Sequence, residues 1–181
     1  MSKTFKIVVL VLVILTSAAV VWFRNMQAET RKHSPQTTLQ SEALGFQMVY
    51  CSPAVKGRAI FGGLVPYNEV WRTGANEATT FDTENDLVIG GQTLPAGKYT
   101  FWTIPGETEW QLIWNSGAYG WGVSWGGKAS RKPEKDVLTV KVPAQKLPAL
   151  QENFSITLAE NPSRLQLAWE NTLVEVPVEK P

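Results

Sequence analysis

Apolar and polar residues divide this chain into three parts. Residues 7–23 form an apolar run without a charge, with Lys3 and Lys6 before it and Arg24 closing it. The run is at the short end of what crosses a bilayer core, and Trp22 stands where an interfacial aromatic belt would hold it. Residues 1–24 are expected to form a membrane anchor. Ser17-Ala18-Ala19 offers a cleaved signal peptide as the alternative, against which the apolar run continues to Phe23. Lys3 and Lys6 on so short a leading tail favour export of everything downstream, to the periplasm or beyond the cytoplasmic membrane. Residues 25–44 are polar and show neither helical nor strand periodicity, which predicts a tether. From residue 45 to 178 short runs rich in β-formers alternate with Gly, Pro, Asn and Asp. That pattern predicts an all-β domain, an antiparallel β-sandwich or flattened barrel.

Within it the expected strands are residues 46–51, 55–61, 78–83, 86–89, 98–104, 110–115, 136–142, 154–159, 165–169 and 172–178. Phe154, Ile156 and Leu158 share one face, as do Leu165, Leu167 and Trp169, the signature of sheets covered on a single side. Pro105-Gly106 turns the 98–104 and 110–115 strands into a hairpin, and Gly90-Gly91 marks a tight reversal. Trp110, Leu112 and Trp114 are expected to face the core. Trp121 and Trp125, among Gly120, Gly122, Gly126 and Gly127, are placed for exposure.

The densest chemistry lies in Trp71-Arg72-Thr73-Gly74-Ala75-Asn76-Glu77, where an indole, a guanidinium, an amide and a carboxylate surround one glycine turn. Charged groups beside an apolar strand imply an internal ion-pair network or a ligand site. In the binding reading Arg58, Tyr67, Trp71, Arg72, Asn76 and Glu77 line a polar pocket for a small anionic or saccharide ligand, the guanidinium forks clamping an anion while Asn76 reads hydroxyls. In the enzymatic alternative Glu77 and Glu170 form the carboxylate pair of a glycoside hydrolase. A third reading makes the motif a structural lock in which Glu77 pairs with Arg72 or Arg58.

Several chemistries are excluded. His33 is the single histidine and falls outside the β domain, which removes imidazole-based catalysis and histidine metal sites from it. Cys51 is the single cysteine, so no disulfide forms within the chain, and it is expected to be a small buried hydrophobe. Asp82-Thr83-Glu84-Asn85-Asp86 lacks the glycine and closing glutamate of a calcium loop. With 17 basic and 16 acidic residues and no basic patch, nucleic acid is not an expected partner. No cofactor and no metal is expected; the expected partners are a membrane, through the N-terminal helix, and a small molecule or glycan.

Ser52-Pro53-Ala54-Val55-Lys56-Gly57-Arg58, then Leu64-Val65-Pro66-Tyr67-Asn68-Glu69-Val70-Trp71-Arg72-Thr73-Gly74-Ala75-Asn76-Glu77-Ala78-Thr79-Thr80, then Leu94-Pro95-Ala96-Gly97-Lys98-Tyr99 and Thr103-Ile104-Pro105-Gly106 resemble the family called domain of unknown function 2911. The resemblance covers about residues 45–178, including Gly120-Trp121-Gly122 and Trp169-Glu170-Asn171-Thr172. It implies a compact β-rich domain exported to the bacterial envelope and brings no catalytic residue with it. The apparent anchor and the glycine-rich residues 123–129 depart from the family pattern.

Overall fold

The uncharged N-terminal run folds as expected into a helix, α1 (Lys3–His33), which continues past the apolar stretch. Its apolar side chains, Trp22 and Leu15 among them, are all exposed. By length and composition α1 can cross a membrane. The computed structural model describes residues 2–181. It divides into two compact units, one ending at His33 and the other comprising Ser34–Pro181.

The expected tether is instead regular structure. Residues 25–33 extend α1, and β1 (Gln36–Ser41) follows almost at once. Ala28, Glu29, Arg31 and Lys32 are strong helix formers, and the basic last turn, with Lys32 bridged to Glu29 at 2.5 Å, suits the negative end of the helix dipole. Pro35 disfavours helical backbone at Ser34 and ends the helix. Beyond it Thr37, Leu39 and Ser41 turn inward in alternation, a period hidden by their modest hydrophobicity.

The remaining strands are β2 (Phe46–Cys51), β3 (Thr80–Thr83), β4 (Leu87–Ile89), β5 (Gln92–Leu94), β6 (Gly97–Ile104), β7 (Glu109–Asn115), β8 (Asp136–Ala159) and β9 (Arg164–Glu179). They pair antiparallel in the order β1-β2-β3-β6-β7-β8-β9-β4-β5. The order ends at β1 on one side and β5 on the other, so the sheet folds into a sandwich without closing into a barrel. β8 makes the fold: residues 136–143 pair with β7, and from Ala144 onward the same strand pairs with β9. One continuous core lies between the layers, with Phe46, Met48, Phe81, Phe101, Trp110 and Trp114 on one side and Ile156, Leu167, Val174 and Val176 among those opposite.

Three local expectations are corrected. Residues 55–61 form no strand; positive φ at Lys56 and Gly57 turns the chain, leaving only single bridges from Ala54 to Asn153 and from Phe61 to Val65. The separate strands expected at 136–142 and 154–159 are one, as are 165–169 and 172–178. Glu170 bridges the latter pair in a left-handed conformation at φ 54°. The β6–β7 hairpin is covered on both faces, because Trp102 and Ile113 form a second small core with Ala78 on the side away from Trp110, Leu112 and Trp114. Trp125 is fully exposed and Trp121 half-buried.

Candidate functional site

Residues 71–80 form an ordered loop held against three neighbours. Trp71 and Thr103 exchange both backbone hydrogen bonds at 2.8 and 3.0 Å, which docks the loop on β6. Ala75 N–H donates to Cys51 O at 3.3 Å and Ala78 N–H to Gly120 O at 3.1 Å. Three tight bends are needed, at Thr73 (φ 57°), Gly74 (φ 144°) and Asn76 (φ 58°). The hydroxyls stabilise them: Thr79 Oγ1 donates to Thr73 O at 2.6 Å, and Thr73 Oγ1 lies 3.2 Å from Thr103 Oγ1. Thr73 and Thr79 are fully buried, so their side chains serve the loop itself.

The six residues expected to line one pocket are distributed over separate surroundings. Arg58 is exposed, its Nε and Nη2 donating to Val55 O and Ala54 O at 3.0 and 2.6 Å. Trp71 packs into the main core, stacked on Trp169 at 5.8 Å and edge-on to Trp110 at 6.3 Å, with Nε1 donating to Gly74 O. Asn76 is buried, and its Nδ2 donates to Ser34 O at 3.3 Å. Arg72 donates from Nη1 to Trp121 O at 3.0 Å. Cys51 Sγ donates to Glu77 Oε2 at 3.4 Å. The hydrogen bonds of both guanidinium groups thus run to backbone carbonyls. Burial pushes the Arg72 pKa down, opposed by the nearby Glu77 carboxylate and by Cys51 once its thiol ionises. Tyr67 belongs elsewhere, on a cleft.

Burial pushes the Cys51 thiol pKa up, and the Glu77 carboxylate beside it adds to the rise. The folded state holds this proton more tightly than the unfolded chain. The stability it contributes is therefore complete below the ordinary thiol pKa of about 8.5 and is lost as pH rises through the higher folded value. Cys51→Ala is expected to flatten the alkaline decline of the melting temperature relative to wild type. Parallel declines in the two proteins would show that the thiol proton plays no part.

The cleft has a volume of about 270 Å³ and is lined on its aromatic side by Phe61, Tyr67 and Trp110 and on its polar side by Glu107, Lys146 and Asn171. Local backbone builds it. Gly62, at φ 81°, lets the Tyr67 ring lie against the main chain, where a Cβ would come within 2.7 Å of Tyr67 Cε2. Asn68 N–H donates to Pro105 O at 2.7 Å and fixes the segment carrying Tyr67 to the end of β6. On the opposite wall the β8–β9 register passes from Lys146↔Thr172 to Gln151↔Glu170, a bulge that swings Lys146 and Asn171 to the rim. Glu170, the second acid of the expected pair, braces this wall: its Oε1 accepts from Ile60 N–H at 3.2 Å. Glu77 and Glu170 are thus held by different partners on different segments.

Phe61, Glu107, Trp110, Lys146 and Asn171 are the cleft residues the sequence reading did not group with Tyr67. Trp110 is read correctly as core, but that its edge also closes a cleft depends on the β8 bulge, which leaves no pattern in the sequence. Among the described residues no group of three His, Cys, Asp or Glu side chains gathers around a point where a metal ion could sit.

A family model described as protein of unknown function (DUF2911) matches residues 34–178. The chain belongs to the DUF2911 family. The match begins at Ser34, the first residue of the β unit, so β1 is part of the DUF2911 domain, which is longer than the resemblance from residue 45 implied. No curated protein and no solved structure matches the chain.

Proposed function

We propose that this DUF2911 domain is a non-catalytic binding module, held at a membrane by α1 with the β unit on the envelope side, and that it takes a small saccharide-like ligand in the Tyr67–Trp110 cleft. The observation that carries the reading is the pairing of an aromatic wall with Glu107, Lys146 and Asn171 in a space of about 270 Å³. Tyr67, the half-buried ring of that wall, complements the C–H face of a sugar ring beside the buried Phe61 and the edge of Trp110, the amide and carboxylate complement its hydroxyls, and the ammonium an acidic substituent. Arg72, Asn76 and Glu77 support the reading indirectly, as parts of the loop whose first residue, Trp71, packs against Trp110 at the back of the cleft.

Glycoside hydrolysis by Glu77 and Glu170 is less well supported. Glu170 already accepts a backbone N–H and Glu77 a thiol, and neither is among the cleft-lining residues named above. Full-length protein in detergent, titrated with a panel of envelope glycans and muropeptides, tests the binding proposal. Tyr67→Ala is expected to weaken binding about tenfold, equivalent to ~1.4 kcal/mol, with Lys146→Ala reducing affinity further for acidic sugars. Silence across the panel, or undiminished affinity in Tyr67→Ala at unchanged melting temperature, would sink it. Turnover of any glycan that Glu77→Gln abolishes would restore the hydrolase.

A further inference from the structure

The hairpin of residues 123–129 ends in an indole with nothing covering it. Trp125 has a relative exposure of 105%, against 2% or less for Trp102, Trp110, Trp114 and Trp169. This is not the exposure of a loose loop. Val123 and Ala129 form an antiparallel bridge, Ser124 N–H donates to Lys128 O at 2.9 Å, Gly127 N–H to Ser124 O at 3.0 Å, and Ser130 N–H to Gly122 O at 2.9 Å. Gly126 and Gly127, at φ 107° and 82°, supply the reversal. The base is seated on the residue 71–80 loop, where Gly122 lies so close to Ala78 and Arg72 that a Cβ would be 3.0 and 3.2 Å from their Cβ atoms. A hydrogen-bonded hairpin on a fixed base thus presents one large amphipathic ring to solvent.

The charges nearest Trp125 along the chain are of one sign, the first acid beyond them being Glu134. Between Ser116 and Pro133 there is no Asp or Glu, while Lys128, Arg131 and Lys132 are present. Arg131 is committed to Asp136, to which it donates from Nε at 2.9 Å and from Nη2. Lys128 and Lys132 are exposed. An amphipathic indole three and seven residues from two solvent-exposed lysines matches the headgroup layer of an anionic bilayer, where tryptophan is enriched and each lysine gains from the surface potential. The same chain carries a helix long and apolar enough to enter such a bilayer.

We propose that residues 123–129 are a membrane-contact hairpin, in which Trp125 inserts at headgroup depth into an anionic lipid surface and Lys128 and Lys132 engage lipid phosphates. The contact is independent of the cleft and of any ligand there. Full-length protein reconstituted into bilayers of phosphatidylcholine, with or without one-third phosphatidylglycerol, tests it by fluorescence. The difference between wild type and Trp125→Phe isolates the emission of Trp125 from that of the other indoles. The isolated emission is expected to shift to the blue and to be quenched by brominated lipid in the anionic bilayer, and to return towards the solvated spectrum at high salt. Lys128→Glu is expected to lower the docked-to-undocked ratio about thirtyfold, since each elementary charge near an anionic surface is worth roughly a factor of five. Unchanged melting temperatures in both variants are expected, because neither side chain packs on the fold. Identical Trp125 emission in the two lipid compositions, or indifference to brominated lipid, would overturn the proposal. So would a blue shift that appears in detergent and grows with protein concentration, which would assign the hairpin to a second copy of the chain.

Discussion

Trp169→Ala is expected to cost the β unit about 3–5 kcal/mol of unfolding free energy, measured by urea denaturation of the full-length protein. Trp169 is 2% exposed and sits at the hub of an aromatic cluster that joins the two layers. It stacks on Trp71 with planes 14° apart and meets Phe61 and Phe154 edge-on at 6.0 and 5.8 Å. Its Nε1 donates to Glu152 O at 3.3 Å, on the outer arm of β8. Truncation removes the transfer energy of the indole and leaves a cavity that three rigid rings cannot collapse into, while the Glu152 carbonyl keeps its hydrogen bond from Val55 N–H at 2.8 Å. Against a total of about 5–15 kcal/mol for a domain of ordinary stability, the loss amounts to at least about a fifth of the whole. A shift below 1 kcal/mol would mean that the cluster repacks and that the layers are joined elsewhere.

Gly74→Ala is expected to be the second most damaging change, at about 3 kcal/mol. Two effects act together. At φ 144° an L-residue is strained by about 1–3 kcal/mol, and here the added methyl would stand 2.8 Å from the carbonyl oxygen of Cys51 and 3.4 Å from Thr79 Oγ1. Cys51 O is backbone within the β2 ladder and already accepts from Ala75 N–H, so it cannot retreat without loosening β2. Gly57→Ala provides the contrast. Its φ of 69° is also left-handed, but nothing lies within 4 Å of the new Cβ, so only the backbone term of about 1 kcal/mol is expected. Equal melting temperatures for the two variants would show that conformation alone, not the approach to β2, demands glycine at 74.

These two residues illustrate what the sequence carries and what it does not. The periodicity of Trp110, Leu112 and Trp114 and of Leu165, Leu167 and Trp169 is a local, period-2 signal, and the sandwich is legible from it. The merging of residues 136–142 with 154–159 is not, because Pro143, Pro148 and the polar stretch around Lys146 read as breaks. In the fold they form a bend and a bulge, which the two partner strands stabilise from opposite layers. The strand of residues 36–41 was hidden for a related reason: an edge strand of Gln, Thr and Ser buries so little that its alternation shows only once β2 is beside it. At the site, residues 71–77 announced themselves by their density of functional groups. Yet the hydroxyls and the glycine in that run serve loop geometry, and Arg58, Trp71 and Tyr67 point to three different surroundings. The cleft beside Tyr67 is assembled from loop, hairpin and bulge segments far apart in the chain, and no local pattern encodes such a meeting.

The path of β8 has one further consequence. The β4–β5 hairpin of the second layer is inserted in sequence between β3 and β6 of the first, and β8 contributes an arm to each layer. No single backbone break can therefore yield two fragments that each hold a complete layer. Partial melting of one layer would strip hydrogen-bond partners from the other, so proteolytic nicking or mechanical extension of the β unit should release both layers in one event.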